Sequence, residues 1–123
     1  MGGDMHAYDL DFLEVCKENL LQQREEALNA LKYLNSNLKE VQRDDSAGLA
    51  SSLQEENYKL SRGRDLSLRL KKIDEALAKI EQGEYGYCSV TEEPIEKARL
   101  LAIPWTDLSL AGAELLERQQ KKL

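Results

Sequence analysis

The chain has 123 residues, one Phe, one Trp and 33% charged residues, which is too little apolar bulk for one thick core and suits a narrow helical seam. A net charge of −6 excludes the broad basic face that general nucleic-acid binding needs, and favours a partner surface that is itself basic. No apolar run approaches the roughly 18 residues of a membrane span, and the start of the chain lacks a secretory pattern. Cys16 and Cys88 are therefore expected as reduced thiols in a cytoplasmic protein, not as a disulfide framework.

Residues 1–9 are polar and read as a flexible start, and 10–82 read as a helical hairpin. In its first arm, ending near Val41, Leu10, Leu13, Leu20, Ala27, Leu31, Leu34, Leu38 and Val41 recur at spacings of three and four, with Lys17 and Arg24 at the two interrupted seam positions. The turn formers Arg43-Asp44-Asp45-Ser46-Ala47-Gly48 place the tip near 43–51. The second arm runs from about 52 to 82, with Leu66, Leu70, Ile73, Leu77 and Ile80 on its seam and Ser52-Leu53-Gln54-Glu55 as a capping box. So short a connection makes the arms antiparallel neighbours, each about 45–50 Å long. Between Glu55 and Gly63 the seam is weak, and looser packing is expected there.

Gly83 and Gly86 stop the helical pattern and open a small module over 83–123. Tyr85, Tyr87 and Cys88 suit a short strand, paired as a hairpin across the turn Thr91-Glu92-Glu93-Pro94. A helical turn is expected over 98–101, stopped by Pro104, with Ile95, Leu100, Leu101, Ile103 and Trp105 as core candidates. Thr106 is placed to cap the last helix, whose Leu108, Ala111 and Leu115 would pack on the base of the rod, and whose end carries Arg118, Lys121 and Lys122. The fold class is thus mainly α: a long antiparallel coiled-coil hairpin plus a degenerate zinc-ribbon-like module with a C-terminal helix.

Taken together, Leu70-Lys71-Lys72-Ile73, Tyr85-Gly86-Tyr87-Cys88, Arg99-Leu100, Ala102, Pro104 and Asp107-Leu108 resemble the DksA/TraR family of bacterial RNA polymerase regulators, over about residues 54–120. The resemblance implies a monomer that inserts its hairpin into the secondary channel of RNA polymerase and changes the lifetime of promoter complexes, often with guanosine tetraphosphate, without reading DNA sequence itself. It implies that the four zinc positions of the family are here Cys88, Thr91, Ser109 and Gly112. One thiol, two hydroxyls and a glycine do not make a four-ligand zinc site, so no metal is expected. The family tip motif Asp-x-x-Asp-x-Ala is answered by Asp44-Asp45-Ser46-Ala47, with Asp44, Asp45 and Ala47 as the residues expected near the polymerase active site. For nucleotide or polymerase contact the resemblance and the charge pattern point to Lys72, Arg64, Arg69 and Arg99, while Ile103 and Ala113 stand at two basic positions of the family nucleotide site.

On the residues alone, Asp44 and Asp45 also read as a solvated turn and helix cap, and the lysines and arginines as a solvated face. No nucleophile–base pair or phosphate-binding glycine loop is present, so an enzyme is not expected. Two other functions fit a coiled-coil hairpin: a Gre-like transcript-cleavage factor of the secondary channel, and a structural coiled-coil interaction protein.

Overall fold

The computed structural model describes residues 8–41 and 49–121. Two long helices, α1 (Leu10–Val41) and α2 (Leu49–Gln82), pack along each other, followed by a short α3 (Lys97–Ala102) and α4 (Leu110–Lys121). Helix α2 thus begins three residues before Ser52, the position read as its cap. Among the described residues no helix is long and apolar enough to cross a membrane.

Helix α1 starts because Asp9 caps it: the Phe12 amide donates to Asp9 Oδ1 at 2.8 Å, and the Leu13 amide to the Asp9 carbonyl at 3.1 Å. Tyr8, one residue earlier, folds back to stack on Phe12 with ring centroids 5.2 Å apart. At the same end of the hairpin, where α2 finishes, Gly83 (φ 76°) reverses the chain in the left-handed conformation. The Gly83 amide then reaches the Ile80 carbonyl and the Glu84 amide the Lys79 carbonyl, the paired bonds of a Schellman motif.

The core lies at the base of the rod. Cys16 and Leu20 of α1 meet Ile73 and Ala76 of α2, and the module closes over them with Tyr85, Cys88, Ile95 and Leu100. Leu20, Ile73 and Leu100 are fully buried. The first-arm seam therefore runs through Cys16 where Lys17 was expected, and Leu10, one heptad before Lys17, is 80% exposed. Lys17 is half-buried, and Arg24 leaves the seam to reach Asp74, Nε to Oδ1 at 2.8 Å. The outer half is looser: Leu53, Tyr58 and Leu60 are exposed, and a cleft of about 490 Å³ separates the arms beside Gly63.

In the module the expected strand hairpin shrinks to a single antiparallel bridge, Tyr87 with Pro94. Pro94 has no amide to extend a ladder, and Glu92 (φ 63°) takes the left-handed conformation that curls the chain between them. Helix α3 ends where the Ile103 amide bonds back to Arg99, ahead of Pro104. The cap of α4 is Ser109, not Thr106: the Gly112 amide donates to Ser109 Oγ at 3.0 Å, and the Leu110 amide to Glu96 Oε1 at 3.2 Å. Thr106 instead holds its own turn by accepting from the Leu108 amide. Ala111 and Leu115, expected against the rod, are exposed, as is Leu101; Leu108 and Trp105 do pack on the core.

Candidate functional site

The four residues that the resemblance assigns to zinc positions come together in space, although Cys88 and Thr91 belong to one turn and Ser109 and Gly112 to the start of α4. The Thr91 amide points at Cys88 Sγ, 3.5 Å away, while the Glu92 amide bonds the Cys88 carbonyl and the Cys88 amide the Glu93 carbonyl. The turn is thus wrapped around the sulfur. It is tied to α4 by the Ser89 amide, which donates to the Asp107 carbonyl at 2.8 Å. Cys88 is 2% exposed and Ser109 5%. A methyl group on Gly112 would collide with Cys88 Sγ and lie 3.4 Å from Ser109 Oγ, so the sulfur occupies the volume a side chain at 112 would take.

Burial raises the Cys88 pKa, but hydrogen bonds to the sulfur from Ser109 and Thr91 outweigh it and bring the thiol down to about 6. The hydrogen bonds around the sulfur thus favour its ionised form. The pocket does not fit zinc: beside this one sulfur stand two neutral hydroxyls and a residue with no side chain. Among the described residues no three His, Cys, Asp or Glu side chains converge on a point that would hold a metal ion.

A second buried polar group fastens the module to the rod. Tyr8 Oη donates toward the carbonyls of Gly86 and Ile95, and Tyr85 Oη donates to the Pro104 carbonyl at 2.9 Å. Burial raises the pKa of Tyr8, Tyr85 and Cys16, so all three stay protonated at neutral pH. Tyr8 was read as part of the flexible start, yet it belongs to the core. The signal in the sequence is an aromatic residue immediately before an Asp that caps a helix, with a second aromatic, Phe12, one helical turn on.

The expected contact residues do not share one pocket. Arg69 lies over the Trp105 ring, 4.9 Å from its centroid. Lys72 flanks the same ring, between a small recess of about 40 Å³ shared with Glu75, Lys79 and Asp107 and a shallow one of about 170 Å³ shared with Asp65 and Arg69. Arg64 instead faces the cleft between the arms. Arg99 is turned inward, donating from Nε to the Leu108 carbonyl at 2.7 Å, and so joins α3 to the approach of α4. Ile103 and Ala113 are half-buried. The tip residues Asp44, Asp45 and Ala47 lie outside the described residues.

A two-helix hairpin whose base carries a compact, sulfur-centred knuckle and a terminal helix is a distinctive class of architecture. Residues 83–118 match the family described as the prokaryotic dksA/traR C4-type zinc finger. The chain is 41% identical over 112 residues to the RNA polymerase-binding transcription factor DksA of Caulobacter vibrioides, covering 89% of this chain and 78% of that protein. It is 30% identical over 116 residues to the protein of the same name from Buchnera aphidicola, covering 93% and 74%. The solved structure of transcription factor DksA2 from Pseudomonas aeruginosa superposes with a TM-score of 0.82 at 32% identity, over 92% of this chain and 88% of that one. The chain belongs to the DksA/TraR family.

Proposed function

We propose that this protein is a transcription regulator that binds bacterial RNA polymerase through its secondary channel and modulates the stability of promoter open complexes. The observation that carries the reading is the extent of the likeness: it spans both the hairpin and the module, at 41% identity, to a relative named for binding RNA polymerase. A hairpin of this kind has the reach to act at a distance, since the 32 residues of α1 extend about 48 Å from the module. The tip carboxylates Asp44 and Asp45 are the groups proposed to act near the polymerase active centre, with Ala47 beside them. The protein works as a monomer in the cytoplasm, has no catalytic activity of its own and reads no DNA sequence.

The module is proposed to work without zinc, the knuckle being closed by hydrogen bonds around Cys88 and by apolar packing. Guanosine tetraphosphate is at most an auxiliary effector here. Of the basic positions the family offers to the nucleotide, Lys72 remains beside Trp105, whereas Ile103 and Ala113 have no charge to give a phosphate.

The test is capture of core RNA polymerase by the purified protein, with competition by a Gre factor. Displacement by the Gre factor supports the secondary-channel reading, and failure to bind core polymerase overturns it. A Gre-like role is separated by transcript cleavage on backtracked complexes: stimulation of cleavage would replace the open-complex reading with that one.

A further inference from the structure

We infer that the cleft between the arms at Gly63 is a docking groove for a segment of RNA polymerase that presents an apolar side chain flanked by carboxylates. The inference rests on the polymerase reading above and names the chemistry of one contact within it. Gly63 sits inside α2, where glycine costs about 1 kcal/mol relative to alanine. It has no positive φ to justify it, unlike Gly83 and Gly86. Nothing among the described residues lies within 4 Å of where its Cβ would be, so no internal contact requires a bare backbone here. Gly112 is the contrast, since there the Cys88 sulfur fills the space. Among the described residues nothing fills this space, which leaves the bare backbone at Gly63 open to an approach from outside.

The walls of the cleft say what kind of approach. Leu31, Leu34 and Leu60 supply an apolar floor, and Lys59 and Arg64 supply two cations, while among the described residues no Asp or Glu lines it. In a chain of net charge −6, an acid-free stretch with two cations is complementary to carboxylates and not to another basic surface. Leu60 is 51% exposed, so covering it removes apolar surface from water that the hairpin itself leaves wet. A second copy of this chain is the weaker occupant, because its overall charge is the same.

The groove is tested by Gly63→Leu, which plugs the cleft with a better helix former, and by Lys59→Glu with Arg64→Glu, which reverses its charge. Each is measured for thermal midpoint and for competition with labelled wild-type protein on core RNA polymerase. Gly63→Leu is expected to keep or raise the thermal midpoint yet bind about tenfold more weakly, and the charge reversal to bind more weakly at an unchanged midpoint. A plug that stabilises and yet loses binding cannot be explained as damage to the fold. Wild-type binding with both variants competing within about twofold of it overturns the groove and leaves the polymerase reading standing. If Gly63→Leu lowers the midpoint, the charge-reversed variant alone decides between these outcomes. A concentration-dependent dimer abolished by Gly63→Leu would assign the groove to a second copy and overturn the inference. Failure of the wild-type protein to bind polymerase overturns both readings.

Discussion

Tyr8 Oη donates to the carbonyl of Gly86 at 2.8 Å, a hydrogen bond between residues 78 apart that ties the entrance of α1 to the turn opening the module. The same hydroxyl points at the Ile95 carbonyl, so it bridges both sides of the Tyr87–Pro94 bridge. Gly86 is fitted to this contact twice over: its φ of 94° suits glycine, and a methyl group there would run into the Tyr8 ring.

Tyr8→Phe keeps the ring stacked on Phe12 and deletes only the hydroxyl. The Gly86 carbonyl keeps a donor, the Ile95 amide at 2.7 Å, but the Ile95 carbonyl loses its bond to Tyr8. The expected cost is about 1–3 kcal/mol in denaturant unfolding, the penalty of an acceptor left unsatisfied in a buried setting. A midpoint equal to that of the parent would mean that the contact is incidental and the module is held elsewhere.

The hairpin arms were legible in the sequence because three-and-four spacing is a direct image of a helical stripe. Even so, the expected seam passes through Lys17, which keeps spacing with Leu10 and Leu13, while Cys16 keeps spacing with Leu13 and Leu20. Burial decides for the second register. The clustering of Cys88, Thr91, Ser109 and Gly112 was legible only through family resemblance, because it joins a turn to a helix start some twenty residues on. The Tyr8–Gly86 bond and the Arg69–Trp105 pair depend on tertiary placement, for which periodicity carries little signal, whereas the Ser109 cap is local and competes with Thr106 three residues earlier.

The pH dependence of stability should have opposite signs on the two sides of a narrow optimum. Cys88 is held at about 6 in the folded protein, below its unfolded value of roughly 8.5. The unfolded chain therefore binds more protons between these values, so stability rises with pH across that window and is lost as pH falls through about 6. The raised pKa values of Tyr8, Tyr85 and Cys16 act the other way: the stability they contribute is lost as the medium becomes alkaline, above their unfolded values. Chemical unfolding should therefore find the parent more stable near pH 8 than near pH 6. Cys88→Ser should remove most of that difference. An equal slope in the variant would show that the sulfur is not the titrating group.

Metal content gives an independent check on the knuckle. The purified protein is expected to carry no stoichiometric zinc, and a chelator should leave its thermal midpoint unchanged, since a metal-held module loses folding energy when stripped. One zinc per chain by elemental analysis contradicts this. Gly112→Ala should destabilise by about 1–3 kcal/mol, because the new methyl must displace the Cys88 sulfur from a closed pocket. If that variant is neutral, the sulfur has somewhere else to go, and the hydrogen-bonded knuckle is not what closes the module.

The last expectation concerns the tip, where Asp44 and Asp45 should separate binding from effect. Affinity is expected to come from the arms and the module, which carry the apolar groove at Gly63 and the Arg69–Trp105 face. The stretch Asp44-Asp45-Ser46 has almost no apolar atoms with which to hold a partner. Its carboxylates are hard oxygen donors, suited to a magnesium ion or to a cationic catalytic element, and charge is what an amide substitution removes. Asp44→Asn with Asp45→Asn preserves size and deletes two charges, at a cost of about 0.5–2 kcal/mol if a helix cap is weakened. The double variant should compete for RNA polymerase nearly as well as the parent and yet fail to shorten the lifetime of open complexes at a responsive promoter. If it keeps the full transcriptional effect, the acidic turn is only a cap, and the action on the polymerase must come from the arms.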